Sequence, residues 1–192
     1  MTSHSSPARI VDLIERLGRS VRLRSYAGNL NPAQWEALRY LARCNAHSNT
    51  PTALAGFLGT TKGTVSQTVT ALERKGLVRK AHRPGQARAL SIQVTGRGRD
   101  LLRQDPTEDI ETAVRLLVAR DRSGSTDTVR ETLNGLLRIV QEQCAQRSYG
   151  QCGTCHHFRA DAPGGQPHRC ALWDEPITLR QANEICAEHR SH

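Results

Sequence analysis

The sequence predicts a mainly α-helical protein with a small β-wing, and three observations lead to that fold class. Two short helices joined by a tight turn precede an arginine-rich hairpin, longer amphipathic helices flank this unit, and four cysteines lie close together near the C-terminus. The first pattern is typical of a winged helix-turn-helix. We therefore predict such a domain embedded in a helical domain, with a short metal-stapled tail.

Helix-end residues delimit the first two helices. Apolar residues at spacings of four and three mark one face of the first helix: Ile10, Ile14, Leu17 and Val21. Gly28 and Asn29 are predicted to end it. Asn31 then caps the second helix, with Pro32 in its first turn, where a missing amide costs nothing.

The third and fourth helices follow the same rules. Thr50 is predicted to cap the third, Gly59 to end it in the left-handed conformation, and Thr60 or Thr61 to cap the fourth. In the fourth helix, an inward stripe is predicted for Val65, Val69 and Leu72. The remaining small polar and basic residues of that helix should face outward.

The predicted wing begins after Gly76, which stops the fourth helix. Leu77 and Val78 open a strand, residues 83–86 are turn material, and residues 89–94 alternate apolar and polar side chains as a half-buried strand does. Thr95 should cap the next helix.

The last helices are predicted beyond Asp105 and Pro106, with a break at residues 123–125 and a candidate capping box of Thr128 and Glu131. Their apolar faces exceed what a small winged core needs, which indicates a homodimer. We assign residues 1–30 to an N-terminal dimerisation helix, 31–104 to the winged domain, 105–148 to C-terminal dimerisation helices and 149–192 to the cysteine-rich tail.

The charge of the chain favours an anionic partner. Its net charge is +9, and ten Lys or Arg between Thr61 and Arg103 stand against only Glu73 and Asp100. Such a surface suits double-stranded DNA. The N-terminus lacks the apolar core of a signal peptide and the aliphatic runs are short, so we expect a cytoplasmic protein without a membrane partner. No hydrolase or nucleotide-binding motif indicates an enzyme.

From about Asn31 to Leu102 the chain resembles the MarR family of transcriptional regulators. The resemblance is carried by NPAQWEALRYL, TPTALAGFLGTTKGTVSQTVTALERKGLVRK and SIQVTGRGRDLL. It implies a homodimer on a pseudo-palindromic operator, with a recognition helix in each of two major grooves and each wing at a neighbouring minor groove. Such proteins usually repress transcription and release DNA when a small molecule or an oxidant acts.

The resemblance also places individual residues on the DNA. The recognition-helix face would comprise Thr61, Lys62, Thr64, Ser66, Gln67 and Thr70. Gln67 would pair with adenine or remain solvated, and Lys62 and the threonines would hold phosphates. Arg83 and Arg88 are the wing candidates, although Gln86 stands where the family often has an acidic residue that would orient Arg88.

The tail is not part of the common family pattern. Cys152 and Cys155 are two residues apart, Cys170 follows after fourteen residues and Cys186 after another fifteen. A Cys-x-x-Cys turn chelates with little strain, and two further thiolates complete a tetrahedral set. Because so short a segment rarely folds without a staple, we predict that these four cysteines hold a metal.

The metal is left open between an iron–sulfur cluster, which we favour, and Zn²⁺. An alternative zinc set replaces Cys170 with His189. Reactive thiols in a thioredoxin-like CGTC motif are a weaker alternative, because that motif needs a βαβ setting. Two cysteines outside the set are predicted to be buried apolar residues, and three histidines to be surface or supporting residues: Cys44 and Cys144; His156, His157 and His168.

The preferred hypothesis is a repressor whose tail senses iron, redox state or oxygen. A change in the cluster would alter how the tail packs on the last helix and so tilt the dimer. The alternatives are a structural zinc tail combined with a small-molecule effector, and a thiol–disulfide enzyme.

Overall fold

The computed structural model describes residues 6–26, 29–83, 86–120, 126–144, 147–161 and 167–191, with the side chains of residues 83–89 left out. The α-helices in these ranges are α1 (Pro7–Arg24), α2 (Pro32–Arg43), α3 (Pro51–Phe57), α4 (Lys62–Arg74), α5 (Gly96–Leu102), α6 (Glu108–Arg120) and α7 (Thr126–Gln143). The strands are β1 (Val78–Arg83), β2 (Gln86–Val94), β3 (Gly150–Gln151), β4 (Phe158–Ala160), β5 (His168–Cys170), β6 (Glu175–Ile177) and β7 (Ile185–Cys186). None of the described helices is long and apolar enough to span a lipid bilayer.

The helix caps of the central domain confirm the sequence reading. Asn31 forms a full capping box with Gln34, and the hydroxyls of Thr50, Thr61 and Thr95 each accept the backbone N–H three residues on. Satisfying these amides sets where α2, α3, α4 and α5 begin. Gly59 has the predicted left-handed conformation, with φ of 59°, and Gly76, predicted to stop α4, is left-handed as well, with φ of 69°. Gly28 lies outside the described residues.

The core of the domain is formed by α2, α3, α4 and the hairpin. Its largest fully buried side chains are Trp35, Tyr40, Leu38, Leu54, Leu72, Ile92, Val65 and Val69. The predicted inward stripe of α4 is therefore confirmed. The hairpin pairs β1 and β2 antiparallel from Val78 opposite Val94, with an irregularity after His82. Its predicted turn residues Pro84 and Gly85 lie outside the described part.

The flanking helices α1, α6 and α7 have no buried residue. Their exposed apolar side chains include Ile10, Ile14, Leu17, Leu116, Leu117, Leu133, Leu137 and Val140. Arg24 of α1 reaches Asp109 at 3.4 Å. Arg39 of α2 binds both carboxylate oxygens of Asp105, at 2.6 and 2.8 Å, and so anchors the link between α5 and α6.

Three local predictions were wrong. Helix α1 ends at Arg24 rather than near Asn29, because Ser25 already closes the last turn through its N–H. Thr128 is not a cap, since α7 begins at Thr126 and the Thr128 carbonyl accepts a bond from Thr132 within the helix. Cys144 is exposed rather than buried. Cys44 does pack against the core, where burial raises the pKa of its thiol to about 12.

The tail folds as two small sheets, one pairing β3 with β7 and the other ordered β4-β5-β6. It packs on the winged domain: Tyr149, Ile185 and Ala187 join the core cluster of that domain, and Ile185 makes a parallel bridge with Cys44. The expectation that the tail packs on the last helix therefore needs correction. Its main support is the loop between α2 and α3.

Candidate functional site

The outer face of α4 carries the predicted recognition residues. Thr61, Lys62, Thr64, Ser66 and Gln67 are exposed, and Thr70 is half-buried. The Thr61 hydroxyl is occupied at the helix start, where it accepts the Thr64 N–H at 3.2 Å and lies 3.0 Å from the Thr64 hydroxyl. Lys62 follows at the positive end of the helix dipole, which suits contact with an anion. The face is therefore polar and accessible and lacks a carboxylate.

The basic residues around α4 divide into two groups. Lys75 donates to Gln34 Oε1 at 3.0 Å and to the Asn29 carbonyl, and so ties α4 to the start of α2. Lys80 pairs with Glu73 at 3.0 Å, and its hydrogen bonds lower the pKa of that carboxyl. Part of the local positive charge therefore supports the fold, a division that the sequence did not reveal.

A second group of basic residues is directed to the surface. The exposed members among the described residues include Lys62, Arg74, Arg79 and Arg97. The wing candidates Arg83 and Arg88 have side chains outside the described part, so their contribution stays a prediction.

The four tail cysteines line one cavity. Cys152 and Cys155 lie at the two ends of a 3₁₀ turn, with the Cys155 N–H donating to the Cys152 carbonyl at 3.1 Å, while Cys170 ends β5 and Cys186 ends β7. All four are free thiols; Cys170 is half-buried and the others are buried. The cavity has a volume of about 60 Å³. On that measure one water needs about 10–15 Å³, so a larger group has room.

Apolar and polar groups share the wall of this cavity. Phe158, Leu172, Trp173 and Ile177 provide apolar cover. His157 also lines the cavity, and its ring atom Nε2 is buried without a hydrogen-bond partner among the described residues. A buried donor or acceptor without a partner costs free energy, so a polar group in the cavity would relieve that cost.

Two of the thiols are hydrogen-bonded to each other. The Cys152 thiol donates to Cys186, which lowers the pKa of Cys186 and raises that of Cys152, although burial opposes ionisation of both. The side chain of Asn45, in the α2–α3 loop, donates to Cys152 Sγ at 3.5 Å. Cys186 is therefore the thiol of this pair that is better prepared to carry negative charge.

A single metal ion is not prearranged in this cavity. Within the part of the chain that the structure describes, no group of three or more His, Cys, Asp or Glu side chains is placed to hold one. A zinc site needs four ligands at about 2.0–2.3 Å from one point. The four cysteines surround a space rather than a point, so metal binding stays a prediction.

The alternative ligand His189 lies elsewhere. Its Nε2 is 3.1 Å from Thr154 Oγ1, its ring packs against Gly150, and it is not among the residues that line the cavity. The CGTC segment lies between the short strands β3 and β4, with a 3₁₀ turn and no βαβ unit in the described tail. That setting does not favour a thioredoxin-like motif.

Sequence reasoning missed three residues of the α2–α3 loop that support this cavity. Asn45 binds Cys152, His47 stacks on Trp173 at 4.2 Å and binds Glu175 at 2.8 Å, and Ser48 accepts the Ala187 N–H at 2.8 Å. These contacts join residues more than 100 positions apart. No local pattern could have indicated them.

The winged domain matches a known family. The profile of the MarR family matches residues 30–90. No curated protein matches the chain.

Solved structures share the fold over about 72–74% of this chain. They include a mutant MepR from a multidrug-resistant S. aureus clinical isolate (21% identity, TM-score 0.56, covering 72% of this chain and 99% of MepR). CouR from Rhodococcus jostii RHA1, bound to p-coumaroyl-CoA, has 22% identity and a TM-score of 0.52, covering 72% and 95%. The transcriptional regulator BldR from Sulfolobus solfataricus has 21% identity and a TM-score of 0.52, covering 74% and 99%. The profile match covers the winged domain, and the solved structures show that the chain shares their winged-helix fold.

Proposed function

We propose that this chain is a DNA-binding transcriptional repressor of the MarR type. The observation that carries the proposal is the accessible polar face of α4, on the part of the chain where the basic excess is concentrated. Lys62 and the hydroxyls would contact phosphates, and Gln67 would reach a base edge in the major groove. Arg83 and Arg88 would extend the contact through the wing.

The repressor is proposed to act as a homodimer on a pseudo-palindromic operator. The support is the apolar surface that α1, α6 and α7 leave exposed in a single protomer. Large contiguous apolar surface on a soluble chain is typical of an interface, and two-fold dimers match two half-sites on DNA.

Salt-dependent binding tests the DNA contact. Replacing Lys62, Arg83 and Arg88 together with Ala should weaken binding to a duplex selected by the wild-type protein. The slope of log K against log salt should fall by about 0.9 for each phosphate that the variant no longer neutralises. A matched control replaces three exposed arginines of the flanking helices, Arg115, Arg130 and Arg138, and removes the same charge. Equal slopes for the two variants would refute the proposed DNA face.

The tail is proposed to hold an iron–sulfur cluster on Cys152, Cys155, Cys170 and Cys186, which makes the regulator responsive to iron or redox state. The support is a cavity ringed by four free thiols, with an apolar cover and a buried His157 nitrogen that lacks a described partner. A cluster occupies a larger space than one ion and is held by four thiolates. When bound, it would supply one-electron redox chemistry.

Anaerobic purification distinguishes the metals. A brown protein with visible absorption, iron and sulfide supports the cluster. A colourless protein with about one zinc per chain would refute the cluster and support the structural zinc tail. Replacing Cys155 with Ser should lower the metal content, whereas replacing the exposed Cys144 should not.

A second candidate function is a regulator with a structural tail and a small-molecule effector. A cavity of about 620 Å³ lies between the α1–α2 link, the end of α4 and α5, and its charged lining is three basic residues, Arg74, Lys75 and Arg97, against one acid, Asp100. Its basic lining favours an anionic ligand. Because CouR was solved with p-coumaroyl-CoA, that compound is the first probe. If this second function is correct for that compound, p-coumaroyl-CoA should weaken operator binding by the metal-loaded protein. An unchanged operator affinity would exclude the compound as an effector.

A further inference from the structure

We infer that the cysteine cavity acts on the DNA-reading helices of its own protomer through the α2–α3 loop, residues 44–50. This inference rests on the metal centre of the proposed function. It concerns the route of regulation, which the sequence had assigned to the last helix and the dimer.

The cavity is held by this loop from two sides. The Asn45 side chain donates to Cys152 Sγ at 3.5 Å, and its backbone N–H donates to the Ile185 carbonyl at 2.9 Å. Ser48 Oγ accepts the Ala187 N–H at 2.8 Å. Ile185 and Ala187 flank Cys186 in the chain. The loop therefore contacts one proposed ligand, Cys152, directly and holds the two residues on either side of another, Cys186.

The same loop holds the reading elements. The Tyr40 hydroxyl donates to the Ser48 carbonyl at 2.9 Å, and the Asn49 carbonyl accepts the N–H of Ile92, in wing strand β2, at 2.7 Å. The next residue, Thr50, caps α3 through the Ala53 N–H at 3.1 Å. Helix α3 packs on α4. Six consecutive residues therefore connect the cavity, the wing and the helix-turn-helix.

The tail also presses on α3 directly. The Tyr149 hydroxyl donates to the Ala53 carbonyl at 2.7 Å, and its ring packs edge-on against Tyr40 and Phe57. A change at the cysteines that moves β3 or β7 must therefore move this contact or break it, because the packed interior does not deform continuously.

Sulfur charge provides the signal. A metal-bound thiolate accepts the Asn45 N–H more strongly than a neutral thiol does, so loading of the centre strengthens the hydrogen bond between the loop and Cys152. Couplings of this kind typically change the affinity at a second site by about 5–150-fold. We expect the operator affinities of metal-loaded and metal-free protein to differ within that range.

The test compares Asn45→Ala with Arg147→Gln. Arg147 binds Glu188 at 3.4 Å and joins the segment that follows α7 to the tail, so its variant weakens the alternative route. For each protein, binding to a duplex selected by the wild type is measured before and after removal of the metal. The visible spectrum and metal content are recorded first.

The measured quantity is the ratio of the DNA affinities of the metal-loaded and the metal-free protein. We expect Asn45→Ala to retain the metal while this ratio falls towards one, and Arg147→Gln to keep the ratio of the wild type. The reverse pattern, an unchanged ratio in both variants, or a ratio of one in the wild-type protein itself would overturn the inference. If the wild-type protein loads no metal, the metal analysis shows this before DNA is added. That outcome refutes the proposed metal centre rather than the route through the loop.

Hydrogen exchange keeps the inference testable if Asn45→Ala does not fold or load. In the wild-type chain, the amides of Ile92 and Ala53 should change protection between the metal-loaded and metal-free states. Unchanged protection at both amides would overturn the inference.

Discussion

Gly56 lies beneath the Tyr149 hydroxyl, and a Cβ built there would collide with that oxygen. The absence of a Cβ at Gly56 thus leaves room for the docked tail. We expect Gly56→Ala to lower the free energy of unfolding by about 1–3 kcal/mol in the wild type, as overpacking does. In a Tyr149→Phe background the same change should be neutral or stabilising by up to about 1 kcal/mol, because Ala is the better helix former.

A double-mutant cycle in urea measures this difference. Gly135→Ala is the control, since nothing lies within 4 Å of a Cβ at that helical position. Equal effects of Gly56→Ala in the two backgrounds would show that the tail does not sit on α3 as described.

The carboxyl of Asp105 should make the stability of the protein depend on pH. Burial pushes the pKa of its carboxyl upward, but hydrogen bonds from Arg39 and Thr107 outweigh burial and hold that pKa below the ordinary value. The resulting stabilisation is present above the unfolded pKa of about 3.9 and is lost as pH falls through the folded pKa. Asp105→Asn should cost about 1–3 kcal/mol at pH 7 and progressively less in acid.

Urea unfolding between neutral pH and acid checks this expectation. Asp174→Asn is the matched control, because Asp174 also pairs with an arginine but its side chain is 82% exposed. A surface pair contributes little. A cost for Asp105→Asn that is the same at every pH would contradict the assigned role.

At the scale of elements, the exposed apolar stripes of α1 and α7 make the dimer testable. Leu17 is 60% exposed and Leu137 is 51% exposed, so Glu at either position costs a lone protomer little. In a dimer the same charge would be buried at the interface without a partner. We expect both variants to become monomeric by light scattering and to lose operator binding, while keeping their helical content.

Leu179→Glu is the control for this pair. Leu179 is 69% exposed but lies in the tail, outside the flanking helices. Its variant should keep the wild-type mass. If all three variants keep that mass, the apolar stripes do not form the interface.

At the scale of the whole molecule, the tail and the winged domain share one core. Trp35 is 1% exposed in that core and Trp173 is 42% exposed in the tail, and these are the two tryptophans of the chain. In Trp35→Phe, fluorescence reports the tail alone while far-ultraviolet circular dichroism reports the helices. The two transitions should coincide as one cooperative unit. A tail that melts first would show that it is an independent module.

Local chemistry explains why much of the central domain was predictable. The caps at Asn31, Thr50 and Thr95, the left-handed Gly59 and the end of α4 before Gly76 depend on neighbours within a few residues, and all five were confirmed. The inward stripe of α4 follows from the same helical period. For the site, α4 exposes most of its assigned face and the four cysteines line one cavity, while DNA binding and metal binding by these residues stay predictions.

Two predictions failed for different reasons. Thr128 and Glu131 have the spacing of a capping box, yet α7 begins earlier. Cys144 continues the apolar stripe of α7, but in a single protomer none of the described residues buries it. Periodicity identifies an apolar face but not what covers it.

By itself, the sequence determined the order of the helices, the wing, the polar outer face of α4 and the set of four thiols, because each depends on residue type and short spacing. Only the tertiary structure decided that the tail rests on the α2–α3 loop, that Asn45 binds Cys152 and that Lys75 ties α4 to the start of α2. Those contacts join distant segments through single hydrogen bonds and shape complementarity, and neither leaves a periodic trace in the chain.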